Sequence, residues 1–272
     1  MKILILGASG LVGRALRQKL FAEDVCGTYC RQIDAYHADD KMFRLDATDG
    51  NRFTELLQAV KPQVIISCMR GDFAAQLCLH RRLTKFLKGK EDSRLIYFST
   101  ANVFDNSLTA PHYENDTLDA KSEYGVFKMQ CEALLREALG SRCVILRIPE
   151  VWGKDCPRLS AMKAMAKNGQ AIHVYENDFL NYTLDSQIAD CVQEILQKDL
   201  RGVFHVGTSD MCSHAEFRRK IAKQLHLAPL FEAERSEENA FQAVLTARSD
   251  LPAAQYFTID MLLDRLFQSE SV

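Results

Sequence analysis

Met1-Lys2-Ile3-Leu4-Ile5-Leu6-Gly7-Ala8-Ser9-Gly10-Leu11-Val12-Gly13 is the stretch on which the fold turns. Residues 2–6 read as a strand, because an unbroken apolar run suits a strand covered on both faces of a parallel sheet. Leu11, Val12, Ala15, Leu16 and Leu20 recur at helical spacing, so a helix runs to about residue 22. Between strand and helix lies GxxGxxG, made by Gly7, Gly10 and Gly13. Glycine allows a tight turn and removes the Cβ that would block a close-lying diphosphate. The helix start then offers free N–H groups and the positive end of its dipole.

Outward from that unit the alternation continues. Strands are expected at Val25–Tyr29, Met42–Leu45, Val64–Ile66, Leu95–Phe98 and Val144–Leu146. Helices are expected around Phe53–Val60, 73–88 and Tyr124–Leu139. Strands separated by helix-length connections predict an α/β doubly wound parallel sheet, a Rossmann fold binding NAD(P). Beyond residue 150 the pattern is less regular, with helices near 158–167, 186–198, 213–225 and 258–267 and strands at 171–174 and Val203–Val206. Residues 1–150 are thus expected to hold the cofactor. Residues 151–272 are expected to form a small substrate lobe over the carboxyl edge of the sheet, with segments returning to the sheet.

Composition narrows the class. A formal net charge of −2 gives no global field to recruit nucleic acid or an anionic membrane. No stretch approaches the roughly 18 consecutive apolar residues of a membrane span, and the apolar start lacks a signal-peptide cleavage site. The nine cysteines include no CxxC pair and sit mostly in apolar runs, which predicts buried, reduced thiols and a cytoplasmic protein. The histidines show no ligand spacing, and no metal is assigned.

Tyr124-Gly125-Val126-Phe127-Lys128 is YxxxK at the start of a predicted helix, where i and i+4 share a face. An ammonium beside a phenol favours the phenolate and lowers a pKa that is otherwise about 10. Upstream, at the end of the fifth strand, stands Tyr97-Phe98-Ser99-Thr100-Ala101-Asn102-Val103-Phe104-Asp105. Ligands of open α/β sheets bind outside the carboxyl ends of the strands, so a hydroxyl there can meet the substrate oxygen.

GxxGxxG, YxxxK and the 97–105 stretch together resemble the extended short-chain dehydrogenase/reductase family, whose ST-D-Y-V-F-D segment is similar to residues 99–105. Leu146-Arg147-Ile148-Pro149-Glu150-Val151-Trp152-Gly153 and Phe204-His205-Val206-Gly207 extend the likeness over nearly the whole chain. It is nearest to the dTDP-4-dehydrorhamnose reductase branch. The resemblance implies a catalytic Thr100, Tyr124 and Lys128, with Ser99 as the alternative hydroxyl. It implies cofactor contacts at Gly7, Ser9, Gly10, Leu11, Val12, Gly13, Asp46, Ala47, Ser67, Cys68, Met69, Ser99, Tyr124, Lys128 and Ile148. The second strand ends Gly27-Thr28-Tyr29-Cys30-Arg31 with no acid until Asp34, and Arg31 offers a forked donor to a 2′-phosphate. NADP(H) is therefore favoured over NAD(H).

The expected activity is NADPH-dependent reduction of a carbonyl on a nucleotide sugar, with a homodimer as the assembly open to it. The alternatives are an NAD-dependent epimerase or dehydratase, and an NADP-binding regulatory subunit without turnover. Three departures bear on the choice. Ser67-Cys68-Met69-Arg70-Gly71-Asp72 is shorter than the family's loop, Cys78 stands where the family often has Asn, and Ala240–Leu245 lacks the branch's Arg-Pro pair. His80, Arg81, Arg82, Lys85, Lys88 and Lys90 read as a solvated basic helix face, and Trp152 as a packing residue.

Overall fold

A seven-stranded parallel sheet carries the molecule, seen in a computed structural model that describes residues 1–31 and 39–268. The first half alternates as expected: β1 (Lys2–Leu6), α1 (Leu11–Lys19), β2 (Asp24–Tyr29), β3 (Met42–Arg44), α2 (Gly50–Val60) and β4 (Val64–Ser67). It continues through α3 (Phe73–Leu87), β5 (Arg94–Thr100), α4 (Glu123–Leu139) and β6 (Cys143–Ile148). A one-turn 3-10 helix, Ala101–Phe104, follows β5 directly.

The second half brings β7 (Glu150–Trp152), α5 (Pro157–Lys167), β8 (Ile172–Tyr175), β9 (Asp178–Leu180), β10 (Tyr182–Leu184) and α6 (Asp185–Gln197). After these come β11 (Val203–His205), β12 (Cys212–Ser213), α7 (His214–Gln224), β13 (Phe231–Glu234), β14 (Ala240–Phe241), α8 (Pro252–Gln255) and α9 (Ile259–Phe267). The strand order of the main sheet is β11-β6-β5-β4-β1-β2-β3, so β11 returns to extend the first-half sheet beside β6. The order reverses between β1 and β4, the switch point at which such sheets open a ligand crevice at their carboxyl edge.

Burial explains the layering. Ile3 and Ile5 face one side of the sheet and pack with Leu16 of α1 and Ile188 and Val192 of α6. Leu4 and Leu6 face the other and pack with Phe53 of α2, Leu83 of α3 and Leu135 of α4. Each such side chain taken fully from water contributes about 1.5–3 kcal/mol. A third cluster, with Trp152, Tyr182, Phe217, Leu262 and Leu263, is the core of the second half, and Leu11 packs against it. That contact sets the glycine turn beneath the second lobe. Among the described residues, no helix is long and apolar enough to cross a membrane.

All nine cysteines are free thiols. Cys26, Cys131, Cys143, Cys156, Cys191 and Cys212 are buried, whereas Cys30 and Cys78 are exposed. Trp152 is fully buried, edge-on to Phe217.

Candidate active site

The glycines of the first turn each answer a steric demand. Gly7 has φ +89°, in the left-handed region, and a Cβ there would lie 3.0 Å from the Cys68 carbonyl oxygen at the exit of β4. At Gly13 a Cβ would fall 2.3 Å from the Gly7 oxygen, so α1 lies flush on the turn only with glycine there. The Gly7 amide donates to Thr28 Oγ1 at 3.0 Å, tying the turn to β2.

Gly10 begins α1, and no side chain caps the helix or places an acid in its first turn. The first-turn N–H groups thus keep their partial positive charge facing the crevice between Ser9 and Val12. Cys68, Met69 and Ile148 stand around this edge, half-buried against the two faces of the core. The residues present fit a dinucleotide: an uncapped helix start for its diphosphate, and the Ser99 hydroxyl buried without a protein partner at the end of β5.

At the far end of the crevice, Arg31 is exposed just beyond β2. Asp34 lies outside the described residues. Asp46 accepts from Thr48 N at 2.9 Å and Thr48 Oγ1 at 2.7 Å, and from the Cys30 thiol at 3.9 Å. The Thr48 hydrogen bonds hold its carboxyl below the usual range. Ala47 packs into the core beside it.

Thr100, Tyr124 and Lys128 are brought together at the end of β5. Thr100 Oγ1 accepts from Asn102 N at 3.2 Å and donates to Asn102 Oδ1 at 2.9 Å. The Thr100 hydroxyl also lies beside the Tyr124 phenol and favours its ionised form. Gly125 makes the approach feasible, since a Cβ there would meet the Asn102 carbonyl oxygen at 2.3 Å.

The amino terminus of α4 is closed by its own protein. Ser122 Oγ caps Gly125 N at 3.0 Å and donates to Asp105, which also accepts from Lys121 N at 2.6 Å. Burial raises the Asp105 carboxyl, but the hydrogen bonds from Ser122 and Lys121 outweigh it and hold the group below its ordinary value. The last residue of the 97–105 stretch therefore fixes the helix that carries Tyr124. YxxxK alone does not reveal this, because the partners lie 16 and 17 residues apart.

Lys128 departs from the expected pairing. Its buried Nζ donates to the Phe98 carbonyl oxygen at 2.7 Å and lies over the Tyr97 ring at 4.7 Å, against 5.8 Å to the Tyr124 centroid. Burial lowers its ammonium to about 8. The Tyr124 phenol is held above its ordinary value by burial, with the Arg70 guanidinium and the Thr100 hydroxyl pulling the other way. The expected lowering of this phenol by Lys128 is thus not what the structure displays.

The elements on either side of the β4–α3 turn make contacts that the sequence does not announce. Phe73, first in α3, stacks on Phe127 at 4.8 Å and rests against Tyr124 at 5.7 Å. Ser67 Oγ pairs with His80 Nε2 at 2.9 Å, and His80 Nδ1 pairs with Gln76 O at 2.7 Å. Since a carbonyl only accepts, Nδ1 carries the proton and Ser67 donates to Nε2. Burial takes the imidazole down to about 4, so it is neutral.

His80 is therefore fully buried and not part of a solvated basic face, while Arg81, Arg82, Lys85, Lys88 and Lys90 are exposed as expected. Helical spacing held the signal: Gln76, Leu79, His80, Leu83 and Leu87 form the buried face of α3. Cys78 is exposed, off that face.

Behind the site a buried polar network joins the two halves. Arg147 on β6 grips Glu132 of α4, at 2.8 Å for the nearest pair, and donates to the Glu114 carbonyl oxygen at 3.1 Å. The Glu114 carboxylate accepts from His205 N, Thr246 Oγ1 and Ala247 N. The 240–247 segment, without the Arg-Pro pair, closes on His112 through His112 N to Ala243 O and Leu245 N to His112 O, both 2.9 Å.

Comparison with known proteins agrees with this architecture. The RmlD substrate binding domain matches residues 83–267. The chain is 27% identical over 258 residues to methionine adenosyltransferase 2 subunit beta of Danio rerio, covering 85% of this chain and 77% of that protein. It is 25% identical over 213 residues to a dTDP-4-dehydrorhamnose reductase of Aggregatibacter actinomycetemcomitans, covering 74% and 69%. The crystal structure of dTDP-4-dehydrorhamnose reductase from Bacillus anthracis str. Ames in complex with NADP superposes with a TM-score of 0.81 at 20% identity, over 98% and 99% of the two chains, and shows the shared fold. With residues 83–267, more than half of its length, matched, the chain belongs to the RmlD substrate binding domain family.

Proposed function

We propose that this protein is an NADPH-dependent reductase of a carbonyl group on a nucleotide sugar. Residues 1–150 bind the cofactor and residues 151–272 the substrate. The observation that carries the reading is the placing of Thr100 and Tyr124 at the end of β5, on the same carboxyl edge of the sheet as the uncapped, glycine-lined start of α1. When bound, a reduced nicotinamide supplies the hydride for the carbonyl carbon.

The chain's own residues do the rest. Tyr124, 37% exposed, reaches the crevice and donates its phenol proton to the carbonyl oxygen. Its raised pKa keeps that proton in place at neutral pH. Thr100 would turn its one hydroxyl hydrogen from Asn102 Oδ1 to the same oxygen as negative charge develops there. Lys128 would hold the cofactor ribose with a further N–H of the buried ammonium that already donates to the Phe98 carbonyl oxygen. Arg31 takes the 2′-phosphate that distinguishes NADPH.

NADPH oxidation across a panel of 4-keto nucleotide sugars tests this. Tyr124→Phe is expected to cut turnover by roughly 10²–10⁴-fold with NADPH binding retained. Full activity in that variant sinks the assignment. The likeness to methionine adenosyltransferase 2 subunit beta favours one second reading, a cofactor-binding regulatory subunit. Stable association with a partner enzyme, without turnover of any panel member, would select it.

A further inference from the structure

Lys128 carries a buried charge that no carboxylate answers. It is 4% exposed, and among the described residues its Nζ forms no ion pair and meets one hydrogen-bond acceptor, the Phe98 carbonyl oxygen at 2.7 Å. A charge taken from water is costly unless something stabilises it. What else touches this ammonium is aromatic. Nζ lies 4.7 Å from the centroid of the Tyr97 ring, over its face, nearer than to Phe127 at 5.5 Å or Tyr124 at 5.8 Å. The face of an aromatic ring carries partial negative charge and attracts a cation, most strongly away from water.

The Tyr97 ring is itself held. It stands on β5, fully buried, and His80 of α3 meets it edge-on, with centroids 5.1 Å apart and planes at 86°. Both nitrogens of His80 are fixed, one by the Ser67 hydroxyl and one by the Gln76 carbonyl oxygen. Ser67 is the register neighbour of Tyr97 on β4. Residues of β4, β5 and α3 thus set the plane on which an ammonium from α4 rests.

The ionisable groups around Lys128 supply no counter-charge. Glu132, one turn along α4, is taken by Arg147 at 2.8 Å. Burial pushes Cys68, at the exit of β4, up to about 12, and raises Cys131 on α4, so neither is a thiolate at neutral pH. Burial likewise raises the phenols of Tyr97 and Tyr124 and keeps the His80 imidazole neutral. Arg70, in the turn between β4 and α3, is a cation itself.

We propose that Tyr97 is the positioning residue of Lys128, its ring face standing in for a counter-charge and holding the ammonium in reach of the cofactor ribose. The proposal rests on the reading of Lys128 as the group that holds that ribose. One N–H of the ammonium is spent on the Phe98 carbonyl, the ring covers its flank, and a further N–H is left for a ribose hydroxyl. YxxxK identifies the lysine; what steadies its charge lies on the preceding strand.

The decisive titration needs neither substrate nor cofactor. The protein is isotope-labelled at its lysine ε-carbons, the Lys128 resonance is assigned by its loss in Lys128→Met, and its titration is followed by carbon NMR. The unaltered protein is expected to show a midpoint near 8. Tyr97→Phe keeps the ring face and is expected to keep the midpoint. Pentafluorophenylalanine at position 97 keeps the ring's shape but reverses the charge on its face, and should move the midpoint down by about one pH unit. Tyr97→Leu, which removes the face outright, is expected to lower it likewise. NADPH affinity should fall in these two variants and hold in Tyr97→Phe. An unchanged midpoint with the fluorinated ring, an equal fall in Tyr97→Phe, or NADPH affinity unmoved by the fluorinated ring would each overturn the proposal. Failure of the unaltered protein to bind NADPH would count against the reductase reading and leave the titration to decide this one. Amide spectra of each variant check the fold.

Discussion

Two helices begin at the carboxyl edge of the sheet, and their first turns are opposites. At α1 the start is Gly10, with no side-chain cap and no acid in the first turn. At α4 it is Ser122, capping Gly125 N, buttressed by Asp105 and followed by Glu123. The glycines at 7 and 13 bring backbone together at α1 and leave its amide groups outward. Gly125 brings backbone together at α4, but there the outcome is a locked tyrosine. The first helix start is left uncapped by protein side chains, as the proposed dinucleotide site requires, whereas the second is capped so that Tyr124 stays in place.

The largest expected effect breaks the open side. In Gly13→Val the branched side chain collides with Gly7 O and Ala8, so the turn must move out of its diphosphate-binding form. Dinucleotide affinity should fall by at least about 100-fold, or about 2.7 kcal/mol, in a calorimetric titration. Near-normal affinity would show that the turn is not where the cofactor sits.

The closed side is sharpened by acid. His80, in α3 against α4, and His205, beside Arg147, are both held neutral by burial, at about 4 against 6.5 for the free side chain. The unfolded chain binds protons that the folded chain refuses, so stability is complete above about pH 6.5 and is lost as pH falls toward 4. For His80 alone this amounts to about 3 kcal/mol at most. Thermal melts from pH 7 to 4 should show the fall; a flat profile contradicts the burial argument.

Asp105→Asn weakens the α4 start itself. The variant loses the charge that accepts from Ser122 and Lys121, and a cost of about 1–2 kcal/mol in denaturant unfolding is expected. Turnover should fall with little change in NADPH affinity. A matched loss of both would mean that the two helix starts are not independent. The smallest effect belongs to Arg31→Ala, for which NADPH should bind about tenfold more weakly and NADH equally well.

The open side was legible because all its determinants lie within the first twenty residues: an apolar strand, three spaced glycines and an amphipathic helix. The closed side was half legible. YxxxK and the 97–105 stretch indicated which residues meet, but the hydrogen bonds from Ser122 and Lys121 to Asp105 cross a loop that carries no periodic signal. His80 was misplaced because it was grouped with neighbouring charges in sequence, although the spacing of Gln76, Leu79, Leu83 and Leu87 puts it on the buried face.

Least legible was the second lobe. Its strands β7, β9, β10, β12 and β14 are two or three residues long, too short for alternation to register. They exist through distant partners, as Glu114 does through Thr246, 132 residues away. Such elements follow from tertiary packing and leave no local trace.

In the proposed function the open helix start binds a phosphorylated dinucleotide. Calorimetric titration of the purified, cofactor-free protein with NADPH and with NADH, repeated on Gly13→Val, tests it most directly. One site per chain is expected, tighter for NADPH, and abolished in Gly13→Val. Absence of binding by both dinucleotides in the unaltered protein would contradict it.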